Sequence, residues 1–175
     1  MAERRSSSLT MRAALVNAGA AAATLLLFAF LVSVVAAPVG IADPGARMAF
    51  WGRLVLWPAL VLFAMAGGVM LARALGRAFN PIEDPESRLQ RVSQRVLANS
   101  VEQTLIFVPA LAALVATLPL PDLGVPVVAT WLFVIGRLLF WGGYLVHPFA
   151  RAPGMAMTLS VNLVVLGWAF LRALA

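Results

Sequence analysis

The chain has 175 residues, of which 62% are hydrophobic and only 11% charged, and its mean hydropathy is +0.95. A water-soluble domain carries about 25% charged residues, so too few polar groups are present to cover a soluble surface, and the composition is that of a membrane protein. The net charge of +6 comes entirely from arginine. Arginines at helix ends that set orientation explain it better than nucleic acid does, so no nucleic-acid partner is expected. With no cysteine, disulfides, thiolate metal sites and thiol nucleophiles are excluded.

Five apolar stretches approach the roughly 20 residues needed to cross a hydrocarbon core. They run from about Arg12 to Ala37, Trp51 to Ala72, Ser87 to Leu118, Val125 to Val146 and Gly154 to Leu174. Proline and glycine punctuate the gaps, as in Pro38-Val39-Gly40, Asn80-Pro81 and the segment from Pro148 to Gly154. The expected fold is an all-α integral membrane helix bundle surrounded by the lipid bilayer, with no soluble domain between the spans. The first stretch could be a signal peptide, with Arg4 and Arg5 as its basic end and Val35-Ala36-Ala37 as a cleavage site. It is read here as a retained helix, because the apolar run is much longer than a signal core and Pro38 follows the would-be scissile bond.

Arginine counting gives an orientation. Arg4, Arg5 and Arg12 precede the first span, Arg73, Arg77, Arg88, Arg91 and Arg95 surround the second connection between spans, and Arg151 lies in the fourth. All fall on one side of a five-span protein, against Arg47, Arg53 and Arg172 on the other, so the first side is expected to be cytoplasmic.

The third span carries the main polar signal. Arg88, Arg91, Arg95, Asn99 and Glu102 recur at helical spacing and share one stripe. At about 1.5 Å per residue the helix is roughly 45 Å long, so its first turns project beyond the hydrocarbon while Asn99 and Glu102 lie deeper. An ionised carboxylate there costs about 3 kcal/mol or more, so Glu102 is expected to face protein and hold a cation. Arg137 in the fourth span is the natural partner, and Tyr144 lies on the same face. Arg95, Asn99, Glu102, Arg137 and Tyr144 are therefore expected around one polar pocket. A structural ion-pair network would explain them. A ligand would also explain why Arg73, Arg95 and Arg137 outnumber the single acid, since an anionic guest balances the charge.

Other polar positions read as structural. His147 belongs to a solvated loop, Asn162 to an interhelical hydrogen bond, and Asn17 with its alanine run to a packed face. Gly67-Gly68 and Gly142-Gly143 permit close helix approach. No pattern supports a metal site.

Three stretches then show a family likeness. They are Arg73 through Arg77-Ala78-Phe79-Asn80-Pro81-Ile82-Glu83-Asp84, then Arg95-Val96-Leu97-Ala98-Asn99-Ser100-Val101-Glu102, and Gly136-Arg137 followed by Tyr144 and Arg151-Ala152-Pro153-Gly154. In order and spacing the chain resembles the MAPEG family, membrane-associated proteins in eicosanoid and glutathione metabolism. The resemblance implies residues 51–175 as a four-helix membrane domain, preceded over 1–50 by a tail, an extra transmembrane helix and a loop. It further implies a homotrimer that binds glutathione between subunits and acts on lipophilic electrophiles as a transferase or peroxidase. Glutathione positions map onto Arg73, Asn99, Glu102 and Tyr144, with Arg95 and Arg137 in supporting ion pairs. Tyr144, or an arginine, would stabilise the thiolate. This sequence departs from the family at Ala98, where glutathione-using members often have arginine. Met155, Ala156, Met157 and Thr158 stand where an arginine is expected early in the last helix, and Leu159 or a neighbour replaces a tyrosine. A non-catalytic scaffold or accessory subunit of a larger membrane complex, docking through the first helix, is the competing expectation, and a small transporter or channel a third. The expected location is a bacterial inner membrane with the polar pocket on the cytoplasmic side.

Overall fold

Among the described residues of the computed structural model, five helices are long and apolar enough to cross a membrane. The structure describes residues 2–78, 80, 82–147 and 149–174, apart from the side chains of 2–10, 12 and 13. The side chains of the tail arginines Arg4, Arg5 and Arg12, and the loop residues Phe79, Pro81 and Pro148, thus lie outside what is described. Helix α1 spans Ala2–Val34, α2 Pro44–Gly76, α3 Arg88–Thr117, α4 Gly124–Val146 and α5 Ala152–Leu174, with one 3₁₀ turn at Leu120–Asp122 between α3 and α4.

The helix ends follow local capping chemistry. Helix α2 begins well before Trp51 because the Asp43 carboxylate accepts the Ala46 N–H at 2.9 Å and Pro44 sits in the first turn, where a missing N–H costs nothing. It continues past Ala72 until Arg77 enters the left-handed region at φ 51°, where the Arg77 and Ala78 amides close onto the carbonyls of Ala74 and Arg73. Ser87 caps α3 by accepting the Gln90 N–H at 3.1 Å. At the other end of α3, Arg47 Nη1 donates to the carbonyls of Val115 at 2.6 Å, Ala116 at 3.2 Å and Leu118 at 2.8 Å. Arg172 adds a bond to Thr117 O at 3.0 Å. Two guanidinium groups thereby satisfy carbonyls that the helix itself leaves unpaired, at the negative end of its dipole.

Helices α2 and α3 pack together, as do α4 and α5 and α3 and α5, while α1 lies along α5 and α4. The larger apolar core gathers Phe107, Leu111, Phe133, Val161 and Val165, with Phe107 and Phe133 stacked at 4.2 Å. A smaller cluster of Met65, Val96, Phe140 and Tyr144 lies toward the end of the bundle that carries the α2–α3 and α4–α5 connections. Helix α1 joins the larger core through Phe28, with Leu31 and Val35 against it. Its last turn sits so close to the start of α4 that a Cβ on Gly124 would come within 2.7 Å of the Val35 carbonyl.

Candidate functional site

Close packing of α4 on α5 creates the site. A Cβ on Gly154 would fall on the backbone N of Phe140 and within 2.6 Å of the Gly136 carbonyl, so only glycine permits this approach. It brings Thr158, one turn along α5, against Arg137. That guanidinium is 1% exposed. Its Nε donates to Thr158 Oγ1 at 3.1 Å, and its Nη2 also donates to that oxygen. Its Nη1 reaches Asn99 Oδ1 at 2.9 Å and, more weakly, Ser100 Oγ at 3.5 Å. The Thr158 hydroxyl itself donates a hydrogen bond to Gly154 O at 2.5 Å, and the Arg137 charge lies over the Phe140 ring, 4.6 Å from its centroid.

These hydrogen-bond partners of Arg137 are neutral. Instead of a direct Arg137–Glu102 pair, Asn99 stands between the two, its Nδ2 donating to Glu102 Oε2 at 3.5 Å. Glu102 itself is exposed on the surface of the chain, as is Arg95 on the same face of α3. Arg73, in the last turn of α2, is half-buried, and its Nε is enclosed with no hydrogen-bond partner. The neighbouring loop closes on itself: the Asn80 N–H donates to Asp84, the Asn80 amide to Glu83, and the Ile82 N–H back to Asn80 Oδ1. Those two acids are therefore occupied in shaping the turn.

Tyr144 is buried and meets Phe140 edge-on at 5.7 Å. The Arg151 guanidinium covers its ring at 4.5 Å. Beside this pair opens a cavity of about 460 Å³, lined by Asn17, Asn99, Phe140, Phe149, Arg151 and Met155 among others. Of the residues expected around one pocket, only Asn99 lines this cavity; Arg137 bonds Asn99 from behind the wall, Tyr144 lies beneath Arg151, and Arg95 and Glu102 stay on the outer face of α3. A larger groove of about 710 Å³ at the opposite end of the bundle, bounded by Trp51 and Ala113, holds only Arg47 as a charged group, and that arginine is committed to the α3 terminus. No cluster of residues suited to a metal ion occurs among the described residues.

The MAPEG family model matches residues 53–171. The chain belongs to the MAPEG family. No individual curated protein matches it. Membership, with five apolar spans, makes this an integral membrane protein of the glutathione and eicosanoid metabolism family. Arg73, Asn99, Glu102, Arg137, Tyr144 and Arg151 all fall within the MAPEG match, and α1 falls before it.

Within the MAPEG region sequence reasoning missed Thr158 and Ser100 as partners of Arg137. Thr158 read only as a residue standing in an arginine's place. The signal available was its spacing four residues after Gly154, since a hydroxyl that bonds the carbonyl one turn back still presents its oxygen to a donor. Arg151 entered as a connecting-loop cation and as part of a family-like stretch, with no ligand role, whereas stacking on Tyr144 brings its guanidinium to the cavity. Deeper in the bundle, Asn162 does form the expected interhelical bond, donating to Gln103 O at 3.1 Å and Gln103 Oε1 at 2.8 Å.

Proposed function

We propose that this MAPEG protein binds glutathione beside Asn99 and Tyr144 and transfers it to lipophilic electrophiles, as a homotrimer with the site on the cytoplasmic side of a bacterial inner membrane. The observation that carries the reading is that Asn99 and Arg151 line one cavity with Tyr144 directly under the Arg151 guanidinium. Glutathione offers two carboxylates, an ammonium, two peptide groups and a thiol. Arg73 and Arg151 suit the carboxylates, Glu102 the ammonium and Asn99 a peptide group, with Arg137 fixing the Asn99 amide. The Tyr144 hydroxyl, or Arg151, would stabilise the thiolate. The thiol loses its proton, its sulfur bonds to an electrophilic carbon arriving from the lipid, and the leaving group departs with the electron pair.

The exposed stripe of α3 supports the trimer. Glu102 lies 14 residues after Arg88, about 21 Å along the helix at roughly 1.5 Å per residue, and an acid facing lipid at that depth costs about 2.5–3.5 kcal/mol. Arg91, Arg95 and Glu102 share the exposed face, so a second copy can pair Arg95 with Glu102 and remove that cost. One observation favours the scaffold alternative: the only hydroxyl among Met155, Ala156, Met157 and Thr158 is already committed to Arg137 and Gly154.

The test is thermal unfolding of the detergent-purified protein with and without millimolar glutathione, in wild type, Arg73→Ala and Glu102→Gln. Binding at 100 times Kd adds about 2.7 kcal/mol to the native state. Stabilisation present in wild type and lost in both variants supports the site. Its absence in a folded, trimeric wild type refutes the reading. Stabilisation without turnover of any electrophile supports the scaffold.

A further inference from the structure

Helix α1 precedes the MAPEG region, yet it supplies one wall of the cavity. Thr24, Phe28, Leu31 and Val35 recur at helical spacing and turn toward α4 and α5. Thr24 and Phe28 are buried, and Leu31 and Val35 pack against the larger core. The Gly124 contact pins the end of the helix. Asn17 lies seven residues before Thr24, on the same stripe. Two turns beyond the packed part of the stripe, it meets open space in place of a neighbour: it is exposed and lines the same cavity as Asn99 and Arg151. Among the described residues its amide has no hydrogen-bond partner. It stands in the first turn of the apolar span, beside the α4–α5 connection that carries Arg151.

We infer that α1 is part of the binding site, and that Asn17 is a ligand-contacting residue whose amide, together with Asn99 and Arg151, holds a carboxylate-bearing peptide. The three groups come from α1, α3 and the α4–α5 connection. An asparagine amide both donates and accepts, which matches a peptide group, while the guanidinium matches a carboxylate. The walls between them are Phe140, Phe149 and Met155, which bind neither. This inference rests on the glutathione reading above and extends the site beyond the four helices of the family region.

Titration calorimetry of the full chain in detergent, with glutathione as the probe, tests it. The variants are Asn17→Ala and Asn17→Asp, each with its thermal midpoint measured without ligand. Loss of one hydrogen bond weakens Kd by roughly 2- to 12-fold. A carboxylate at the same place repels the anionic peptide, so Asn17→Asp is expected to weaken it further, with both ligand-free midpoints unchanged because Asn17 is exposed. Wild-type binding that neither variant alters overturns the role of α1 and leaves the glutathione reading intact. No binding by wild type overturns both. Losses of affinity that track equal losses of ligand-free stability in the two variants also overturn the contact, since they assign Asn17 a packing role.

Discussion

Replacing Thr158 with valine removes one oxygen and leaves the volume of the side chain almost unchanged. That oxygen accepts from both Nε and Nη2 of Arg137, whose 1% exposure leaves no room for water to substitute. Hydrogen bonds to a charged group contribute about 1.5–3 kcal/mol each. Because both end on one oxygen, the lower bound applies, and Thr158→Val is expected to cost about 3 kcal/mol. Thr158→Ser keeps the acceptor and loses a methyl group, a cost of about 1 kcal/mol. Arg137→Met removes the buried charge together with its desolvation cost and is expected to stay within about 1 kcal/mol of wild type. Valine at 158 is then harmless in the double variant, so the coupling energy of the cycle is about 2–3 kcal/mol. Unfolding by dodecyl sulfate in mixed micelles, followed by far-ultraviolet circular dichroism, measures all five proteins, wild type included. Equal losses for serine and valine, or a coupling below about 0.5 kcal/mol, would refute the view that a threonine hydroxyl neutralises the need for an acid beside Arg137.

Two further outcomes are expected in the same assay. Arg47→Ala exposes three carbonyls at the end of α3 and should lose about 1–2 kcal/mol, with Arg47→Lys recovering part of it; no change would mean that Arg172 alone suffices there. Gly154→Ala forces a Cβ onto the backbone of Phe140 and Gly136 and should cost about 3 kcal/mol or prevent folding. Gly142→Ala meets nothing within 4 Å and should be neutral or stabilising by about 0.5–1 kcal/mol, so equal behaviour of the two would dismiss the contact.

Span number and type were legible because twenty-odd apolar residues between proline and glycine clusters have few other uses. The helix ends were less so. The start of α2 depends on Asp43 and Pro44, which also read as a turn, and its end on an arginine adopting a conformation usual for glycine. Of the two glycine pairs expected at close contacts, Gly68 meets Trp141 and Gly143 meets Ala150, whereas Gly67 and Gly142 have open space beside them. Helical rotation decides which member of a pair faces a neighbour, and the pair alone does not state it. Within the site, charge counting pointed to Arg137 and Glu102 as partners, but counting ignores neutral acceptors. Asn99, Ser100 and Thr158 satisfy the guanidinium through geometry that exists only once three helices have met. Asn17 was hidden for a similar reason: its stripe reads as packing until the cavity at its end is seen.

The dependence of Arg137 on Thr158 also bears on how the chain enters a membrane. Arg137 sits near the middle of α4, where an unpartnered arginine opposes insertion by about 2.5–3.5 kcal/mol. Its acceptor on α5 is synthesised only after the α4–α5 connection, and Gly154 lets the two helices close on each other as soon as both exist. Asn99 and Ser100 on α3 already offer acceptors to Nη1, and Thr158 takes up Nε and Nη2, so the burden of the arginine falls in two steps, one shared with the preceding span and one relieved by the following span.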